Sequence, residues 1–119
     1  MISGISFDEC YIYDCLSILM VKYAKGVDSV HTSILRMNDE LTAAVGAAKH
    51  KDVLQSVELA QLVGLNGLIF SKLDRIKREE PSAADARYID NLNYERYKAK
   101  QALQARFFPD VGMEEKKVG

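Results

Sequence analysis

FDECYIYDCLSILMVKYA, residues 7–24, decides the fold class. Phe7, Tyr11, Asp14, Ile18 and Val21 stand at alternating steps of four and three, which puts them on one face of a helix. The other sides are also apolar, through Cys10, Ile12, Tyr13, Leu16, Leu19 and Met20. A helix apolar on nearly every side is central in its fold or buried in a dimer interface. Ser6 is a suitable N-cap, with Glu9 three residues on as the second half of a capping box. Lys22 and Lys25 suit the negative end of the helix dipole, and Gly26 provides the stop.

The odd residue in that stripe is Asp14, and two later stretches repeat the oddity. Asn66 interrupts Leu59, Leu62, Ile69, Leu73 and Ile76. Arg96 interrupts Ile89, Leu92, Ala99 and Leu103. An acid, an amide and a guanidinium therefore point into one core. An unpaired buried ion costs several kcal/mol, so Asp14 and Arg96 are expected to find each other, with Asn66 joining them.

Between these stretches the punctuation predicts four helices and no strand. The second begins after Asp28 or Ser29, both good caps, and carries Ile34, Leu41 and Val45 on a stripe with His31 and Asn38. Gly46 and the run Lys49, His50, Lys51 mark a weakening or a turn, after which Asp52 can cap a third helix running to about Glu79. Pro81 ends it, because the residue before proline is pushed out of the α region. Ser82 and Asp85 form a capping box for a fourth helix over residues 83–107, which Pro109 closes. Short connections make neighbouring helices antiparallel. The expected fold is all-α: an antiparallel up-down bundle of four helices over residues 1–108, or two long hairpins pairing through the first helix, with a disordered tail over 109–119.

Composition agrees with one soluble domain. The chain has 119 residues, 48% apolar and 28% charged. A chain of this length buries roughly 65% of its unfolded surface, enough for a core without staples. The net charge of −1 argues against a nucleic-acid binder working by phosphate neutralisation. The run from Ile18 to Val21 is far too short to cross a bilayer, and Asp8 and Glu9 have the wrong charge for a secretory signal, so a cytoplasmic location is expected. Cys10 and Cys15 point to different sides of one helix and read as small reduced hydrophobes.

Asn93, Arg96 and Lys100 form one stripe on the last helix. Two readings of the polar set compete. In one, Asp14, Asn66 and Arg96 fix helix register. In the other, Asp14, Asn66, Asn93, Arg96 and Lys100 bind a small anionic or sugar-like ligand, with Asp14 orienting the arginine. Gly64 and Gly67 flank Asn66, and each costs about 1 kcal/mol inside a helix relative to alanine. Something is therefore expected to approach the backbone there, with a neighbouring helix, through Tyr11, Tyr13 or Tyr97, preferred to a ligand.

The run Ile5 to Glu9, followed by Tyr13-Asp14-Cys15-Leu16-Ser17-Ile18-Leu19 and Lys22, resembles the opening of a family of small all-α proteins of unknown activity. Leu65-Asn66 and Asp74-Arg75 are similar to its middle, and the segment from Asn93 to Lys100 to its last helix. Cys15 departs from the pattern, which has a basic residue there. Such proteins occur in bacteria, often near surface-polysaccharide genes, and in phages. The resemblance implies an all-α fold and singles out Asp14, Asn66, Asn93, Arg96 and Lys100, but supplies no reaction.

Familiar catalytic patterns are missing. No Glu-x-x-His pair serves a di-iron bundle, and zinc lacks its paired ligand spacings. His50, in a polar turn, is expected to be solvated; His31, beside Ile34, reads as a core histidine. Glu40, Glu58, Asp74, Glu79 and Glu80 lack the spacing of a magnesium-binding bundle. No catalytic residue, metal or cofactor is assigned. The expected function is a non-enzymatic interaction or accessory module that binds protein, above all a second copy of itself. A ligand-binding protein or enzyme built on the polar set is the alternative.

Overall fold

The computed structural model describes residues 9–77 and 82–109. The expected start of the first helix at Ser6 and Phe7, the expected end of the third at Glu79, Pro81, and residues 110–119 of the expected tail lie outside the described residues.

Among the described residues the fold is all helix, but with five helices rather than four. They are α1 (Glu9–Ala24), α2 (His31–Val45), α3 (Ala47–Leu54), α4 (Val57–Ile76) and α5 (Ala83–Phe107), with a 3-10 turn, Asp28–Val30, leading into α2. The extra helix occupies the segment around Lys49, His50 and Lys51 that the sequence marks as a weakening or a turn. Gly46 alone makes that break, at φ +94°, a left-handed region that suits glycine. The helix resumes at once as α3, and Asp52 lies inside it. The cap for the next helix is Ser56, whose Oγ accepts from the backbone N–H of Leu59 at 3.1 Å and donates to the carbonyl of Val53 at 2.7 Å. One hydroxyl thus closes α3 and opens α4.

Other ends follow their sequence signals. Beyond α1, the N–H of Val27 bonds the carbonyl of Lys22 and that of Gly26 bonds Tyr23, both at 3.0 Å. With Gly26 at φ +97° this is a Schellman stop. Ser82 and Asp85 make the reciprocal capping box at the start of α5.

α1 is the central helix, packed against α2, α4 and α5. α4 and α5 form an antiparallel hairpin, pinned by Arg106 to Glu58 at 2.7 Å near one end and Lys72 to Asp85 at 2.5 Å near the other. α1 runs parallel to α4, as the Asn66 contacts with Asp14 and Ser17 and the Lys25–Ser71 bond show. α2 packs on α1 and α3. Tyr13, Leu16, Leu41, Val53, Leu59, Leu62 and Leu103 are the largest side chains fully buried between these elements. No single described helix is long and apolar enough to cross a membrane; α3 and α4 together reach that length and composition, bent by 54°.

Candidate functional site

Asp14 is 3% exposed, at the junction of α1, α4 and α5. Arg96 reaches it from α5 with its fork: Nε donates to Oδ1 at 3.2 Å and Nη2 donates to Oδ2. Such bidentate pairing is the strong form of the guanidinium–carboxylate contact. Lys100, one turn further along α5, holds Nζ 3.7 Å from Oδ2. Asn66 on α4 donates through Nδ2 to Oδ1 at 3.3 Å and to Ser17 Oγ at 2.7 Å. Ser17 spends its own proton on the backbone carbonyl of Asp14, at 2.7 Å.

The three polar residues therefore meet, and Lys100 meets them. Asn93 does not join: it is exposed on α5, away from the carboxylate. Ser17 is the member that sequence reasoning missed, although its position three residues beyond Asp14 on a helix was a usable signal. The glycines flanking Asn66 do not mark a close approach. A Cβ on Gly64 would meet nothing within 4 Å, and one on Gly67 would meet only the Val21 side chain, at 3.9 Å. No tyrosine is involved.

A second buried polar chain lies between α1, α2 and α3. Tyr13 Oη and His50 Nδ1 are 2.8 Å apart, and His50 Nε2 lies 2.8 Å from Asn38 Oδ1. Asn38 donates through Nδ2 to the carbonyl of Ile34, which fixes its amide orientation and leaves Oδ1 as acceptor. His50 must then carry its proton on Nε2 and accept from Tyr13 on Nδ1. Burial lowers the pKa of His50. Burial also pushes the Tyr13 hydroxyl up to about 12, helped by the nearby Cys10 and Glu9. Both shifts favour the neutral pair. His50 is thus a core histidine, not a solvated one, and His31 is the exposed one, stacked on Tyr23 with ring centroids 5.3 Å apart.

Two open grooves mark the surface. The larger, about 600 Å³, runs between α4 and α5. Its walls are Gly64, Leu65 and Leu68 on one side and Ala99 and Ala102 on the other, with Gln61, Glu95 and Lys98 at the rim. Gly64 and Leu68 stand two residues either side of Asn66, about 160° round the helix from it. The smaller, about 440 Å³, lies between α1 and α2 beside Cys15, Leu19 and Met37. Neither groove is lined by Asp14, Asn66, Arg96 or Lys100. Among the described residues, no group of three His, Cys, Asp or Glu side chains could hold a metal ion.

No protein-family model, curated protein or solved structure matches this chain.

Proposed function

We propose that this chain is a non-enzymatic helical interaction module that acts in the cytoplasm by binding protein, above all another copy of itself. The observation that carries the reading is the bare outer face of the α4–α5 hairpin. There Leu68 is 50% exposed beside Gly64 and Ala102, and Val57 further along α4 is 65% exposed. Exposed apolar side chains beside a groove that also carries Gln61, Glu95 and Lys98 are the kind of surface that binds a partner. The polar set, by contrast, is spent on itself: Asp14, Ser17, Asn66 and Arg96 satisfy one another in the core. That favours register-setting over chemistry. Sedimentation equilibrium of the full chain across a wide concentration range is the test. A concentration-dependent mass is expected, and a monomer throughout overturns the reading.

A second reading rests on the edge of the cluster. The Arg96 and Lys100 side chains are 27% and 31% exposed, so both reach solvent while holding Asp14. A small anion, a phosphate or sugar phosphate, could be held there by their outward N–H groups. Thermal-shift titration with inorganic phosphate tests it. Ligand at 100 times its dissociation constant adds about 2.7 kcal/mol. Membership of the family of small bacterial and phage all-α proteins is part of the same proposal, carried by the segments around Asp14, Asn66 and Arg96.

A further inference from the structure

We infer that the α4–α5 groove is the seat of a second copy of this chain, docked antiparallel across a two-fold axis. The inference rests on the self-association proposed above and adds its interface and register.

Positions spaced by alternating fours and threes line the outer faces of both helices. On α4 they are Val57, Gln61, Gly64 and Leu68. On α5 they are Tyr88, Asn91, Glu95, Lys98 and Ala102. Positions at that spacing stay on one side of a helix over several turns, so each set faces a partner laid along the hairpin. The charges on the seam are self-complementary. Glu95 and Lys98 pair within the helix at 2.9 Å and are about half exposed. An axis midway between them sets Glu95 of each copy opposite Lys98 of the other, so two ion pairs become a four-charge ring.

The shape is self-complementary at the same level. Midway between Gly64 and Leu68 on α4, an axis brings Leu68 of one copy onto Gly64 of the other. Gly64 has open space where a side chain would stand, and Leu68 is a large apolar side chain left half outside. The two midpoints lie at a similar height along the hairpin, because Gly64 and Leu68 line the same groove as Glu95 and Lys98. One axis therefore serves both helices.

The area suffices. Two adjacent helices, each ~10 Å wide, over the ~30 Å length of α4 present roughly 600 Å² per copy, or about 1,200 Å² in the pair. That is the lower bound for a specific interface.

Sedimentation of the full chain with surface variants tests this. Glu95→Lys should raise the dimer dissociation constant about tenfold or more, by setting like charges against each other. Glu95→Lys with Lys98→Glu should restore it, because the swapped seam is again complementary. Gly64→Met should weaken association by filling the socket, while its melting temperature at dilution holds or rises, which separates docking from folding. A chain that still self-associates, with a constant indifferent to all three variants, overturns this interface and leaves self-association standing. A chain that is monomeric throughout overturns the functional reading, and this interface with it.

Discussion

Arg96 donates to both carboxylate oxygens of Asp14 from 82 residues away in the chain. The pair welds the last helix to the first, and its energetics are asymmetric. Breaking a buried pair strands a charge and costs about 3–5 kcal/mol, whereas replacing both members with apolar groups is often neutral. Lys100 stands 3.7 Å from Oδ2 and is placed to compensate in part. Arg96→Met is therefore expected to cost about 2–3 kcal/mol in urea unfolding, and adding Lys100→Met should deepen the loss. Asp14→Leu with Arg96→Met should recover most of it. No recovery in the double variant would show that the pair does more than satisfy itself.

Much of this cluster was legible in the sequence because it broke a period. A polar residue in the middle of a clean stripe of fours and threes must be buried, and opposite charges in one core must pair. Asn93 misled because it shares the stripe of Arg96 and Lys100 only at its margin; the helix turns it out to solvent. The His50 chain was not legible, since three residues on three helices carry no common period. The single-residue break at Gly46 looked like a longer turn because lysines surround His50. A short helix with polar outer positions has the composition of a loop, and only the buried faces of His50 and Val53 distinguish it.

The His50 chain predicts a pH dependence with a definite sign. Burial lowers the pKa of folded His50 below its unfolded value near 6.5. The folded state then binds fewer protons than the unfolded one in that range. Stability from this group is complete above about 6.5 and declines as the pH falls through that value towards the folded pKa. His50→Gln should flatten the decline. Tyr13→Phe should cost about 1 kcal/mol at neutral pH by removing the donor to Nδ1. Thermal melts from pH 7.5 to 5 check both, and a wild-type curve parallel to that of His50→Gln would refute the assignment.

Gly46 and Gly64 should respond oppositely to alanine. Neither site would crowd a new Cβ, since nothing lies within 4 Å of either. The difference is backbone. Gly46 sits at φ +94° and ψ 146°, a region essentially reserved for glycine, where an alanine is strained by about 1–3 kcal/mol, so Gly46→Ala should destabilise. Gly64 lies inside regular α4, so Gly64→Ala should stabilise the isolated chain by up to about 1 kcal/mol. Equal effects in dilute chemical denaturation would contradict the break assigned to Gly46.

Asp85 should govern part of the acid limb. Its carboxyl is held down to about 2, first by the hydrogen bond from Lys72 and then by the backbone N–H of Ser82. The folded pKa lies below the unfolded value near 3.9, so the contribution is complete above that value and is lost as the pH falls from about 4 to about 2. Other carboxylates titrate in the same window, so the informative quantity is a difference. Lys72→Met removes the first cause and keeps the capping box. Its stability should differ from wild type at pH 6 and converge on it as Asp85 protonates. Asp85→Asn should show the same convergence from the other partner. A gap between Lys72→Met and wild type that stays constant down to pH 2 would place the role of Lys72 in its packing over the Tyr88 ring, 5.2 Å from its centroid, rather than in its bond to Asp85.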